Sequence, residues 1–409
     1  MTTDAFRAGA VRPAGGDLPL PLLTLDMARY RANRDSLLAY GRAHGALLAP
    51  HVKTAMIPEL ATDFVAAGGW GVTVADVRQA AAMIAGGVSR LVLANEVGGR
   101  YGARHFARLV AAHPTIELIT FVDSPEAVAA LDAALAEVAP SRTVPVLLEV
   151  GIGRAGVRDL PSARRVLDAL GTSERAGRIR VAGVAAYEGA ATVADRAETL
   201  RRVDALLSFA AEALGAVRER VGEVRPLIAS AGGSLYFDRV VAILGAAVRA
   251  DPRCDLVLRP GAILYGDHGI YETGIAALDE RGGFKLDGVA AQDAFRPVLQ
   301  VFAEVLSRPE PGLAICGMGM RNVSYDAGLP RALQLYRDGA PIAADLSGVA
   351  VQRLNDQHAF VGLGDADIRV GDVVAFGISH PCTCFHLWRE VQVLDAEGRI
   401  SGSLTTRFG

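Results

Sequence analysis

The sequence predicts an α/β fold: a (β/α)8 barrel of the TIM type followed by a C-terminal β domain. Two observations predict it. From about residue 46 to residue 260, short apolar runs alternate with longer helical stretches rich in Ala, Leu, Arg and Glu, the pattern of repeated βα units. After about residue 272 the alternation stops, and short strand-like runs separated by Gly, Pro and Asp take over. For the first part, a doubly wound open sheet is the alternative.

Taken in order, residues 1–22 form a Gly/Pro-interrupted leader that carries Arg7 and Arg12 but no continuous apolar stretch of a secretory signal, as expected of a cytoplasmic protein. The leader is expected to associate with the β domain. The run Pro19 to Asp26 and a helix from Met27 to His44 join that domain or lead into the barrel, which is expected to span residues 23–272. Eight candidate barrel strands follow: Ala46 to Val52, Trp70 to Val74, Arg90 to Leu93, Ile116 to Val122, Val144 to Val150, Val181 to Tyr187, Pro226 to Ser230 and Leu256 to Pro260. Between them lie expected helices at Ile57 to Ala67, Val77 to Ala85, Pro125 to Val138, Pro161 to Leu170, Ala194 to Leu214 and Leu235 to Val248. The β domain, 273–409, is read from runs at Arg296 to Val305, Leu313 to Cys316, Gln357 to Gly362, Val373 to Ile378 and Arg389 to Leu394.

Composition narrows the function. A chain of 409 residues, 51% hydrophobic and 21% charged, holds one large domain and a smaller one. A net charge of -3 offers no basic field for nucleic acid or an anionic membrane, so the expected partner is a small molecule. No segment gives about 20 uninterrupted apolar residues, so no membrane span is expected. Four cysteines are too few for a disulfide framework.

Only two of the 42 basic residues are lysines, Lys53 and Lys285. An arginine bias also arises from genome composition, so the surroundings decide what Lys53 means. Arginine cannot replace an amine nucleophile, whereas lysine can lose its proton and form a Schiff base with an aldehyde. Lys53 follows the first barrel strand, and active sites of such barrels lie at the C-terminal strand ends. The other polar strand ends are Thr73, Arg154 in Gly151-Ile152-Gly153-Arg154, Tyr187-Glu188-Gly189, Ser230-Ala231-Gly232-Gly233-Ser234 and Arg259-Pro260-Gly261. Glycines after the seventh strand let backbone N–H groups approach an anion, and a helix starting near Leu235 adds its positive end. A Schiff-base lysine and a phosphate cradle in one barrel point to pyridoxal 5'-phosphate; the plainer reading is a tight turn beside a surface lysine.

Pro50-His51-Val52-Lys53-Thr54 resembles the lysine motif of the D-serine dehydratase and D-threonine aldolase family, pyridoxal-phosphate enzymes with an alanine-racemase-like barrel and a β domain. The Arg154 segment, Tyr187-Glu188-Gly189, Ser230 to Ser234 and Gly377-Ile378-Ser379-His380-Pro381-Cys382-Thr383 resemble their counterparts in the same order. The loop Gly319 to Pro330 is similar to one in bacterial members described as amino acid deaminases. The resemblance implies that Lys53 carries the cofactor, that Arg154 and Tyr187 lie near its ring, and that Ser230, Gly232, Gly233 and Ser234 hold its phosphate, with Tyr265 as an additional contact. It also implies a homodimer.

His380 and Cys382, spaced i and i+2, share one face if their segment is extended, and imidazole with thiolate favours zinc. Two protein ligands leave positions open for water or substrate, the mark of a catalytic ion. By resemblance, His-x-Cys is the dehydratase version, where D-threonine aldolases commonly place an aspartate. Cys384 and His386 continue the alternation, but four same-face ligands on one strand span about 20 Å and cannot converge on one ion. Cys384 is therefore read as a packing residue, and His358 as either a pocket residue or a structural one.

The expected activity is a pyridoxal-phosphate- and zinc-dependent dehydratase acting on D-3-hydroxy amino acids such as D-serine or D-threonine, giving a 2-oxo acid and ammonia. The runner-up is a D-threonine-aldolase-type cleavage to glycine and an aldehyde. A racemase and a non-catalytic pyridoxal-phosphate-binding protein are the weaker alternatives.

Overall fold

The computed structural model describes residues 11–408; residues 1–10 of the expected leader lie outside the described residues. The chain divides into two compact units, a barrel comprising Leu37–Gly261 with Arg281–Gly288, and a second unit comprising the described residues up to Ser36, Ala262–Glu280 and everything from Val289 onward.

The first strand, β1 (Leu22–Asp26), belongs to the second unit, so the apolar opening run does enter the β domain. The barrel is built from β2 (Ala46–Leu48), β3 (Val72–Val74), β4 (Arg90–Glu96), β5 (Glu117–Val122), β6 (Val144–Val150), β7 (Ile179–Ala186), β8 (Leu227–Ala231) and β9 (Cys254–Leu258). All eight are parallel, in the order β2-β9-β8-β7-β6-β5-β4-β3. The ring closes between its ends through a parallel bridge of His51 with Thr73 and the bonds Trp70 N–H to Leu48 O at 2.9 Å and Thr73 N–H to Pro50 O at 2.8 Å. The open-sheet alternative is thereby excluded. Val92, Ile119, Phe121, Leu147, Ala182 and Ala185, from the neighbouring strands β4 to β7, form one buried cluster.

The intervening helices start where their sequences supply an acceptor for orphan N–H groups: Asp76, Ser124, Asp159 and Asp195 each cap the helix that follows. Leu160–Arg175 and Arg196–Val221 run further than expected, and two other stretches differ in kind. The stretch Leu235 to Val248 is not one helix but two, Phe237–Ala242 and Leu244–Arg249, which meet at Ile243. Helix Arg100–Ala112 was not anticipated, although its buried positions Ala103, Phe106, Ala107 and Val110 follow helical spacing.

The second unit continues with β10 (Leu299–Glu310), β11 (Leu313–Cys316), β12 (Arg331–Arg337), β13 (Ala340–Ile342), β14 (Ala350–Leu354), β15 (Ala359–Gly362), β16 (Val373–Gly377), β17 (Glu390–Leu394) and β18 (Ile400–Thr405). Its main order is β13-β12-β16-β10-β1-β17-β18, and β10 also carries β11, β15 and β14 as a branch. Pairing is antiparallel except for β1 with β17. Between β16 and β17 the chain forms the short helix Pro381–His386. Among the described residues, no helix is long and apolar enough to cross a membrane.

Candidate active site

Lys53 stands just beyond the C-terminal end of β2, in a single 3-10 turn Val52–Thr54. Val52 and Thr54 face inward and are buried, which leaves Lys53 as the solvent-open side chain of the turn. The turn is held from two sides. Thr73 donates its hydroxyl to Ala49 O at 2.6 Å, and Gly261 lies so close to His51 that a Cβ there would stand 2.2 Å from the His51 carbonyl oxygen. His51 Nδ1 is buried with no hydrogen-bond partner among the described residues. Burial first, then the charges of Lys53 and Arg259, hold this imidazole neutral, with its pKa well below the usual range.

Arg259 follows β9 and is buried, with its guanidinium donating to Ser230 Oγ at 3.0 Å and Ala186 O at 2.7 Å and lying 5.2 Å over the Phe121 ring. One side chain thus ties the ends of β7, β8 and β9 together. Ser230 is engaged in the same lattice, donating to Val257 O at 3.0 Å while accepting from Arg259. Its hydroxyl proton is committed within the barrel wall, so Ser230 shapes the loop rather than offering a free donor to a phosphate.

The Gly232 and Gly233 N–H groups, expected to hold a phosphate, both donate to the side chain of Glu188. Gly232 N–H donates to Glu188 Oε2 at 3.1 Å, and Gly233 N–H donates to Oε1. Glu188 is fully buried; burial raises its pKa, while its backbone hydrogen bonds and the charge of Arg259 oppose that rise. Gly232 adopts φ +100°, a conformation that favours glycine, and a Cβ at Gly233 would press to 3.1 Å on Tyr187. Ser234, next in the loop, is buried. The expected helix end beside this loop is only the short Phe237–Ala242.

Tyr187 is 39% exposed, and its hydroxyl lies over Gly189, where a Cβ would stand 2.4 Å from it. The Arg154 guanidinium lies 5.5 Å from the centre of the Tyr187 ring. The structure therefore brings Arg154 and Tyr187 together, and Tyr187 and Glu188 against the glycine loop.

Two residues that sequence reasoning passed over complete the strand ends. Glu96 ends β4 and Glu149 lies one residue before the end of β6, and they share a side-chain hydrogen bond, which two carboxyl groups can form only with a proton between them. Burial first, then that bond and the Glu96 charge, pushes Glu149 up to about 9, against the pull of Arg259 and Arg154. Glu96 Oε1 and Glu149 Oε2 are buried without partners among the described residues. The available signal was an acid at the end of an apolar strand run, which ordinarily reads as solvated.

The second unit carries the other expected residues. His380 is extended (φ -155°, ψ 110°), but Pro381 opens a helix, so Cys382 lies in a first helical turn rather than on a strand. The expected strand alternation does not hold. His380 and Cys382 nevertheless meet, because their side chains hydrogen-bond, and that bond is the largest cause of a His380 pKa pushed up to about 9. Asp326 Oδ2 also lies 2.6 Å from the ring's Nδ1. An imidazole beside a thiol and a carboxylate sits where positive charge is favoured, which suits a cation. Among the described residues, no group of three or more His, Cys, Asp or Glu side chains is arranged to hold a metal ion. Cys384 is completely buried, as a packing residue should be, and the exposed His386 ring packs edge-on to Phe408 at 5.0 Å. Tyr265 is buried within this unit between Tyr30 and Phe385, with ring centroids 5.8 and 5.0 Å away. His358 is exposed beside Arg321, Asn355, Asp356 and Gln357. Lys285 is exposed, its carbonyl 3.1 Å from His44 Nε2.

Residues 25–269 match the family model described as alanine racemase, N-terminal domain. The chain belongs to this family. The alanine racemase match covers the barrel, and residues 298–394 match a putative serine dehydratase domain, the region that holds His380 and Cys382. A D-threonine aldolase of Arthrobacter sp. is 26% identical over 95% of this chain and 93% of its own length. A D-threo-3-hydroxyaspartate dehydratase of Delftia sp. (strain HT23) is 25% identical over 94% and 96%. Among solved structures, the D-threonine aldolase from Filomicrobium marinum superimposes with a TM-score of 0.75 at 22% identity over 98% of both chains. The Delftia dehydratase gives 0.70 at 22% identity over 96% and 98% of the two chains, and its structures include a cysteine-to-alanine mutant in the metal-free form. The resemblance read from the Lys53 motif and the Gly377 to Thr383 run is thus borne out, and the alanine-racemase-like fold with it.

Proposed function

We propose that this protein is a pyridoxal-phosphate-dependent lyase of D-3-hydroxy amino acids, and that it dehydrates them to a 2-oxo acid and ammonia with a divalent ion, zinc foremost, at His380 and Cys382. The observation that carries the proposal is the setting of Lys53: an open amine at the first barrel strand's C-terminal end, beside a buried imidazole held neutral, in an alanine-racemase-type barrel. The barrel residues fit the cofactor. The Lys53 amine is open to solvent, and the buried atoms His51 Nδ1, Glu96 Oε1 and Glu149 Oε2 lack partners among the described residues.

When bound, pyridoxal phosphate supplies an electron sink that acidifies the Cα–H of an attached amino acid. Lys53 would hold the cofactor and would take the substrate's Cα proton on Nζ. Arg154 and Tyr187 orient the ring, and the Ser230 to Ser234 loop, shaped by Glu188 and Arg259, receives the phosphate. An ion on His380 and Cys382 would supply Lewis acidity to a β-hydroxyl that leaves.

Retro-aldol cleavage to glycine and an aldehyde is the second reading, favoured by the 26% identical D-threonine aldolase; the thiolate donor at Cys382 speaks for dehydration. Purified protein loaded with pyridoxal phosphate is given D-serine, D-threonine, D-3-hydroxyaspartate and D-phenylserine, before and after chelation, with ammonia and glycine assayed separately. Ammonia with a 2-oxo acid and no glycine is expected, lost on chelation and restored by zinc. Glycine with aldehyde and no ammonia makes it an aldolase. Bound cofactor without turnover on any substrate makes it a carrier.

A further inference from the structure

We infer that Asp326 is the positioning residue of the metal pair: it fixes which nitrogen of His380 is offered to the ion. The inference rests on the proposed ligand role of His380 and Cys382. Asp326 lies in the loop Asn322 to Gly328, and that loop is fastened along the segment Ser379 to Trp388. Ser324 Oγ accepts the His380 N–H at 3.2 Å, Ser379 Oγ donates to Gly328 O at 2.7 Å, and Trp388 Nε1 donates to Asn322 O at 2.8 Å. Within this frame Asp326 Oδ2 lies 2.6 Å from His380 Nδ1, and Asp326 Oδ1 accepts the Thr383 hydroxyl at 2.7 Å. Thr383 also reaches His380 O at 3.3 Å, so the carboxylate's own orientation is set from the helix that follows His380.

Each carboxylate oxygen is thus aimed at a partner in the segment of the metal pair, one at the ring and one at the helix. Asp326 is not itself a ligand; it holds the ring proton on Nδ1, which leaves the Nε2 lone pair for a metal and raises its basicity. A histidine without such a partner samples two tautomers and a rotating ring, and loss of an orienting carboxylate ordinarily weakens metal binding about 10- to 100-fold.

The test measures zinc affinity by competition with a chromophoric chelator, together with the absorption spectrum of the cobalt(II)-substituted protein, for wild type, Asp326→Ala, Asp326→Asn and Thr383→Val. The full chain is used throughout, and far-UV circular dichroism reports folding. Wild type should take up one zinc per chain, and His380→Ala should abolish it. Asp326→Ala should weaken binding about 10- to 100-fold while the thiolate-to-cobalt band remains. Asp326→Asn, whose amide oxygen still accepts from Nδ1–H, should lose less, and Thr383→Val, which only loosens the carboxylate, less again. Asp326→Ala with wild-type affinity overturns the inference alone. A cobalt spectrum showing one oxygen ligand fewer in Asp326→Ala overturns it too, by making Asp326 a ligand. Wild type that takes up no zinc overturns the metal reading and the inference with it.

Discussion

Glu188 and Gly232 meet at 3.1 Å, carboxylate oxygen to backbone N–H, and the second oxygen of Glu188 receives the N–H of Gly233. An internal carboxylate thus sets the glycine loop assigned to the cofactor's phosphate. Glu188→Gln keeps the size but offers one acceptor and one donor to two N–H groups, so one N–H faces an N–H. We expect the loop to loosen, stability to fall by about 1–3 kcal/mol, the cost of a buried donor left unsatisfied, and affinity for pyridoxal phosphate, read by fluorescence titration, to fall about tenfold. Tighter cofactor binding in the variant would mean instead that Glu188 competes with the phosphate for these two N–H groups.

The Glu96–Glu149 pair makes the barrel sensitive to alkali. Glu149 has its pKa raised from 4.5 to about 9, so the folded state binds a proton more tightly than the unfolded chain does. The stabilisation is fully present below about pH 4.5 and is lost as pH rises toward and through about 9. Glu149→Gln mimics the protonated acid and removes this dependence. Thermal melts should show the variant close to wild type at pH 5 and increasingly more stable than wild type as pH rises to 9. Parallel pH profiles for the two proteins would contradict the shared proton.

Gly261 is required by the close approach of His51, whose carbonyl oxygen would lie 2.2 Å from an added Cβ. Gly261→Ala must push the Lys53 turn away from the strand-nine loop, at a cost of about 1–3 kcal/mol. Gly215, in helix Arg196–Val221, has open space where a Cβ would stand, with no neighbouring atom within 4 Å, so Gly215→Ala should stabilise by about 1 kcal/mol. Melting temperatures that move in the same direction for both variants would refute this difference.

Much of the barrel was legible because its strands are short, β-branched and separated by capped helices; the run Val144–Val150 and the helices Val77–Ala85 and Pro125–Val138 begin and end where the sequence places them. Lys53 was legible for the same reason, as the residue after the first apolar run. What escaped depends on contacts between segments far apart in sequence. Glu188 is 44 residues from Gly232, and Glu96 and Glu149 end strands that never pair with each other. The geometry of His380 and Cys382 was misread for a local reason: Pro381, a favoured first helical residue, marked a helix start that the polar alternation concealed. Strands β12, β13, β14 and β18 escaped because their burial is low and mixed, so no clean alternation marks them.

The central claim is that Lys53 carries pyridoxal phosphate. Protein loaded with the cofactor, reduced with borohydride and digested is examined by mass spectrometry, alongside Lys53→Arg, which keeps the charge but not the amine. The cofactor mass is expected on the peptide containing Lys53 in wild type and absent from the arginine variant, which should stay folded. Cofactor trapped on Lys285, or an arginine variant that still traps it and turns over, would contradict the account.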